Sequence, residues 1–257
     1  MSAAEHSHNA AFEREAAVLP QVADLRKTLI RAHDPFAAFG AFLAGHKVRG
    51  FHYLRLWRPG ELLEPPPAHA LFQHHTYPAD WTKLIARTAL FAQDPTLSVL
   101  RRHEQHAFWQ TPEPLAPERA AHRRCAREIG LVSGVSLRLF SGHEGGAALG
   151  LWCATQPDAA GFSGYWRAAG PWLTQAAQIF DQVLREQRPN ALIGLTPREI
   201  ECLKGLLSGK RPGEICFALS LSERTFEKHI CSAKTKLKAR TRDQALAKAV
   251  LLNLLPR

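Results

Sequence analysis

"SLSERTFEKHICSAKTKLKARTRDQA", residues 220–245, decides how the end of this chain folds. Ser222 is a good helix N-cap, and Glu223 places a negative charge in the first turn, where the helix dipole favours it. With about 100° per residue and Phe226 turned inward, Ile230, Ala233 and Leu237 share the inward face. Arg224, Lys228, Cys231 and Thr235 fall opposite, flanked by Glu227, Ser232 and Lys238. His229 sits at the edge of the apolar stripe and reads as a packing residue. Upstream, Pro212 opens another helix with Ile215, Ala218 and Leu219 on its inner face. Ser220 and Leu221 leave only a tight turn between the two. Helix, tight turn, helix is a DNA-reading unit whose second helix enters the major groove.

Two further helices complete this part. Thr196 can cap the first, with Pro197 at its first position and Glu199 at its third, a capping box with the favoured proline. Ile200, Leu203, Leu206 and Leu207 form its stripe, and Gly209 ends it. Thr241 caps the last, with Gln244 closing a second capping box. From Leu192 onward the chain holds 13 Lys and Arg against 6 Asp and Glu. That share of a total net charge of +10 is concentrated in about a quarter of the length, which favours a polyanionic partner.

The preceding residues have a different pattern. Helical periodicity covers "AAFEREAAVLPQVADLRKTLIRA" and "DPFAAFGAFLAGHK". "FHYLRLW" alternates as a strand does, and "LFQHHTY" reads as another. "PADWTKLIARTAL", "DPTLSVLRRHE" and "ERAAHRRCAREIG" read as helices. "GVSLRLF" and "AALGLWCAT" are joined by "SGHEGG", a hairpin signal. A long amphipathic helix spans "GYWRAAGPWLTQAAQIFDQVLREQ". The expected fold class is α+β: an N-terminal α-β-α sandwich ligand-binding domain followed by an all-α four-helix domain. The expected boundaries are 1–187, a linker at 188–194, and 195–257.

Several classes are excluded or disfavoured. No stretch is apolar enough to cross a bilayer, and the N-terminus has neither the basic nor the apolar region of a signal peptide, so a cytoplasmic protein without membrane association is expected. The five Cys are scattered, with no C-x-x-C, which favours a reducing compartment. His74 and His75, with His6, His8, His103 and His106, lack metal-ligand spacing, so no metal is expected. No nucleophile–base set is legible, so no catalytic residue is named.

The stretch "LTPREIECLKGLLSGKRPGEICFALSLSERTFEKHICSAKTKLKARTRDQALAKA" resembles the LuxR-type helix-turn-helix domain. That resemblance assigns base reading to Glu227, Lys228 and Cys231. It leaves Arg224, Thr225, Lys234, Lys236 and Lys210 for phosphates. Arg211 and Pro212 depart from the family's usual capping residues, and Phe226 stands where Val is usual. Further upstream, the order of Trp81, Asp94-Pro95 and Trp109, then "IGLVSGVSLRLF" around Gly134, resembles the acyl-homoserine-lactone-binding domain of quorum-sensing LuxR-type receptors. The resemblance implies that Trp81 donates to a lactone carbonyl, Asp94 accepts from the ligand amide, and Trp109 walls the ring. Asp94 before Pro95 also fits a helix cap. Ile85 stands where the family carries a Tyr that holds the acyl carbonyl. Trp152 is aligned with a small hydroxyl residue on the central strand. Both changes remove donors or volume, although Ser136 or Thr88 could supply a donor. A phosphorelay receiver is not supported, since the acidic pair and isolated phospho-acceptor Asp it needs are missing.

The expected partners are therefore double-stranded DNA, a small-molecule autoinducer and a second copy of the chain, with RNA polymerase a further candidate. No cofactor is expected beyond an acyl-homoserine lactone or a related ligand. A ligand-independent regulator, a non-lactone sensor and, with least support, an enzyme acting on a small metabolite are the competing readings.

Overall fold

The computed structural model describes residues 18, 20–57, 71–83, 90–110, 116–142, 145–153 and 159–255. The front part opens with helix α1 over residues 20–31 and α2 at Pro35–Ala44. Asp34 caps α2 by accepting from the Phe36 and Ala37 amides, ahead of a proline at the first helical position. Strands β1 (Gly50–Trp57) and β2 (Leu71–His75) follow, then α3 (Pro95–Arg101), β3 (His106–Phe108) and α4 (Pro117–Glu128). The hairpin β4 (Gly134–Gly142) and β5 (Gly145–Trp152) leads into α5 (Ala159–Glu186). The strands form one antiparallel sheet in the order β2-β1-β5-β4-β3.

The two-residue period of β1 sorts its side chains between layers. Phe51 and Tyr53 face α1, α2 and α5, where Phe39, Phe180 and Leu184 make the larger core. Leu54 and Leu56 face the other way, against Leu97, Val99 and Leu100 of α3. Each fully buried side chain of this kind contributes about 1.5–3 kcal/mol. A polar tie also crosses the larger core. The Tyr53 hydroxyl donates to Asp181 over 2.9 Å, and Arg185 Nε donates to the same carboxylate over 2.8 Å. Because Asp181 is buried, both bonds are needed to offset the cost of taking its charge out of water.

The α-β-α sandwich read from the sequence is the observed architecture, with differences in detail. β3 is a fifth strand, too short at three residues to show alternation. α5 begins at Ala159 rather than Gly164 and runs through Pro171. Of the helix expected at "PADWTKLIARTAL", residues 80–83 are helical, and 84–89 lie outside the described residues.

The C-terminal part has the four expected helices: α6 (Pro197–Leu207), α7 (Pro212–Leu219), α8 (Glu223–Lys236) and α9 (Arg242–Leu251). Thr196 and Glu199 form the capping box, Ser222 accepts from the Thr225 amide, and Thr241 accepts from the Gln244 amide. Gln244 reaches back to the Arg240 amide rather than that of Thr241, so the second box is open on one side. Phe226, Ile230, Ala233 and Leu237 are buried, as the helical wheel requires, against Cys202, Leu203, Ile215, Ala245 and Ala249. Lys248 is also buried. Its ammonium donates to the Leu237 and Lys238 carbonyls, placing a cation at the negative end of α8. Phe72 of β2 packs in this same core beside Ile193 and Leu195, so the two parts share a hydrophobic contact.

Candidate functional site

A cavity of about 330 Å³ lies between the sheet and the layer of α3 and α4. Tyr77, Trp81, Asp94, Thr96, Trp109 and His122 are among its lining residues. Alternation places His52, Ser136 and Gly150 on this side of the sheet. Asp94 caps α3: one carboxylate oxygen accepts from the Thr96 amide over 2.6 Å. The other lies 3.5 Å from His52 Nδ1. Burial pushes the Asp94 carboxyl up, but His52, His122 and the Thr96 amide outweigh it. The group is held below its ordinary value and stays a carboxylate at neutral pH. A carboxylate has about four lone-pair sites, so Asp94 can cap its helix and still accept from a ligand N–H.

The Tyr77 hydroxyl is buried and has no hydrogen-bond partner among the described residues. Burial, then the charge of Asp94, pushes its phenol well above the ordinary value, so it remains a donor. An unpaired buried hydroxyl costs about 1–3 kcal/mol, a cost that a ligand carbonyl removes. The Trp109 indole is already committed, donating to Ser136 Oγ over 2.9 Å. Ser136 Oγ also lies 3.1 Å from Thr96 Oγ1. This network sets the wall of the cavity and holds Trp109 in place.

Two glycines shape that wall. A Cβ on Gly134 would stand 2.3 Å from the Leu151 carbonyl oxygen and 2.7 Å from the Trp109 ring. A Cβ on Gly150 would stand 2.5 Å from Thr96 Oγ1 and 2.6 Å from the Tyr77 hydroxyl. Only hydrogen fits at either position without movement of its neighbours.

The structure thus brings Trp81, Asp94 and Trp109 together around one cavity. Trp152 packs against Tyr77, Trp81, Ala126 and Leu131, all of which line the cavity, and its buried indole Nε1 has no hydrogen-bond partner among the described residues. Two residues back along β5, on the same face, Gly150 stands against Thr96, Tyr77 and Trp109. Ile85 and Thr88 lie outside the described residues. The donor that the sequence reading sought at Ile85 is available from Tyr77, four residues before Trp81 rather than four after. Ser136, the other candidate donor, is occupied by Trp109 and Thr96. His52, Tyr77, Thr96, His122 and Gly150 were not read as site residues. Of these, only Tyr77, four residues before Trp81, had a usable signal.

On α8, Arg224, Glu227, Lys228 and Cys231 are exposed, and Thr225 and Lys234 are half-buried. Lys210 is exposed between α6 and α7. Lys236 corrects the sequence reading. Its ammonium lies 2.9 and 3.0 Å from the two Glu199 oxygens, joining the end of α8 to the capping box of α6. Burial pushes the Glu199 carboxyl up, but Lys236, Ser232 and the Thr196 amide hold it below its ordinary value. Lys236 is thus a structural tie rather than a free phosphate contact. Lys236→Ala is expected to lower the thermal stability of the C-terminal domain and leave the salt slope of DNA binding nearly unchanged. Lys228→Ala is expected to weaken specific binding by about 1–3 kcal/mol without changing stability. Melting curves and salt-dependent DNA titrations on both variants test the distinction; a salt slope that falls by about one unit for Lys236→Ala restores it as a phosphate contact.

Comparison with known proteins adds independent findings. The family model described as "Autoinducer binding domain" matches residues 33–182. That described as "Bacterial regulatory proteins, luxR family" matches residues 194–249. The chain is 33% identical over 186 residues to the quorum sensing-dependent transcriptional regulator RpaR of Rhodopseudomonas palustris, covering 70% of this chain and 73% of that one. It is 28% identical over 242 residues to the transcriptional activator SolR of Ralstonia solanacearum, covering 92% and 99%. A solved structure of CepR2, an N-acylhomoserine lactone dependent factor from Burkholderia cenocepacia, aligns at 20% identity with a TM-score of 0.49, over 66% of this chain and 99% of that chain.

Proposed function

This chain belongs to the LuxR-type regulators of bacterial transcription that carry an autoinducer-binding domain, and from that premise we propose how its cavity holds a signal and what the signal is. It is a DNA-binding regulator rather than an enzyme, with double-stranded DNA and a small-molecule autoinducer as partners. The ligand in this reading is an N-acyl amide of the acyl-homoserine-lactone class. Asp94 accepts from the amide N–H, Tyr77 donates to the acyl carbonyl, and the Trp81 indole donates to the head group. The carrying observation is the convergence of an ionised acceptor and an orphaned phenol donor on one cavity. At about 330 Å³ the cavity is near the small end of the range for ligand sites, which favours a short acyl chain.

Tyr77→Phe keeps the ring and removes only the donor. It is expected to weaken binding of N-hexanoyl-homoserine lactone about ten- to a hundredfold while leaving the unliganded melting temperature unchanged or raised. Calorimetric titration checks it; equal affinity in wild type and variant removes Tyr77 from the site.

On the DNA side, α8 reads bases through Glu227, Lys228 and Cys231, with Arg224, Thr225, Lys234 and Lys210 near the phosphates. One short helix reads few base pairs, so the reading includes a homodimer on paired half-sites. Val250 and Leu251, exposed on α9, support an apolar contact there. RNA polymerase is a further partner in this reading, and the cytoplasm its location. Among the described residues no helix is long and apolar enough to cross a membrane. Analytical ultracentrifugation with and without DNA tests the dimer.

A further inference from the structure

The head end of the cavity is basic, and its charges are unevenly paired. Helix α4 turns Arg119, His122, Arg123 and Ala126 to one side, at the i, i+3, i+4, i+7 spacing of a single face, and all four line the cavity. Arg102 joins them from the end of α3, and the lining carboxylates are Asp94 and Glu104. Asp94 is engaged by the Thr96 amide and His52, and Glu104 lies 3.9 Å from Arg102. Arg123 donates to the Trp109 carbonyl over 2.7 Å. Arg119 is different: among the described residues no carboxylate lies within 4 Å of its guanidinium.

His122 is a second, independent observation. It is only 6% exposed, its ring packs edge-on to Trp81 with centroids 5.4 Å apart, and its Nε2 is buried without a partner among the described residues. A neutral lactone carbonyl can accept from both groups but brings no charge to offset a guanidinium that, among the described residues, has no carboxylate within 4 Å. A carboxylate brings that charge and offers several lone pairs to N–H donors on one face.

We infer that the head group this cavity favours is a carboxylate, held by Arg119 and His122 beside Trp81, so that the ligand is an N-acyl amino acid such as ring-opened N-acyl homoserine. This deepens the reading given above and rests on it, since Asp94 and Tyr77 still hold the acyl amide. Burial and then Arg102 lower the Arg119 guanidinium, with Glu104 offsetting only part, so a bound anion relieves an existing imbalance. Burial lowers His122, Asp94 raises it in part, and Arg119 adds to the lowering, so the ring lies between the carboxylate and the guanidinium. A neutral imidazole donates from one nitrogen, and protonation beside a carboxylate makes both nitrogens donors.

The test compares N-hexanoyl homoserine, as the sodium salt, with N-hexanoyl-homoserine lactone on the full chain. It uses calorimetric titration at pH 6.5, where the lactone hydrolyses slowly. Wild type is expected to bind the acid at least about tenfold more tightly than the lactone. Arg119→Gln and His122→Phe are each expected to reduce acid affinity about tenfold and to change lactone affinity less than about threefold. Melting of the unliganded variants confirms that they fold. If Arg119→Gln fails to fold, Arg119→Lys replaces it, which keeps the charge and loses the planar fork; if His122→Phe fails to fold, His122→Leu replaces it. Equal or tighter lactone binding by wild type overturns the inference and leaves the acyl-amide site standing. Acid preference unchanged in both variants overturns the assignment to Arg119 and His122. Binding of neither compound overturns the site as well.

Discussion

Asp94→Ala is expected to destabilise the front domain by about 3 kcal/mol and to remove ligand binding altogether. One side chain serves three purposes here. Its first oxygen caps α3 through the Thr96 amide, and loss of such a cap costs about 1 kcal/mol. Its second oxygen faces the buried His52 ring, which alanine would leave without its carboxylate neighbour. The same carboxylate is the acceptor for the ligand amide. Asp94→Asn separates these purposes, because asparagine caps a helix nearly as well but brings no charge. The amide variant should keep most of the stability and still lose most of the affinity. Melting and titration of both variants check this. An Asp94→Ala protein as stable as wild type would show that the cap and the His52 contact contribute nothing. Stability should also fall on the acid side for wild type. The folded-state carboxyl lies below its ordinary value, so its contribution is complete above the unfolded value of about 4 and is lost as pH drops through the folded one.

Gly150→Val is the second large effect. The new Cβ would meet Thr96 Oγ1 and the Tyr77 hydroxyl at under 3 Å, and two methyl groups would add to it in a packed wall. Overpacking of this kind costs about 1–3 kcal/mol. The functional loss should be larger, because the side chain grows against the Tyr77 hydroxyl, the donor proposed for the acyl carbonyl. A loss of at least about a hundredfold in affinity is expected, equivalent to about 2.8 kcal/mol. Gly150→Val that binds as wild type does would place the ligand away from the β5 wall.

The C-terminal domain was largely legible because its signals are local. Caps at Thr196, Ser222 and Thr241 and the stripe of Phe226, Ile230, Ala233 and Leu237 need only the sequence near them. Lys236 escaped for the opposite reason. A helical wheel puts it at the edge of the exposed face, and nothing in α8 shows that Glu199, on another helix, lies within reach. In the front domain, strands with clear alternation were legible and the three-residue β3 was not. The spacing of Trp81, Asp94 and Trp109 marked out residues that do line one cavity. Trp152 and Gly150 share one face of β5, and a strand period of two does not show how close each comes to the cavity. Tyr77 was overlooked because the search ran down the chain from Trp81, whereas the donor arrives from the turn before it. His122 looked like one of many scattered histidines. Its importance comes from burial beside Trp81, which depends on how α4 packs on the sheet.

The central claim is that occupation of the front cavity controls DNA binding by the tail. The most direct measurement is an equilibrium titration of duplex DNA, selected in vitro by the full-length chain, with and without the hexanoyl acid and lactone. Wild type and Gly150→Val are compared side by side. The account predicts that ligand shifts the wild-type DNA midpoint, in either direction, by about 5- to 150-fold, the usual range of coupling between sites. The Gly150→Val midpoint stays where it was. An unchanged wild-type midpoint despite measured ligand binding, or an equal shift in the filled-cavity variant, would contradict it.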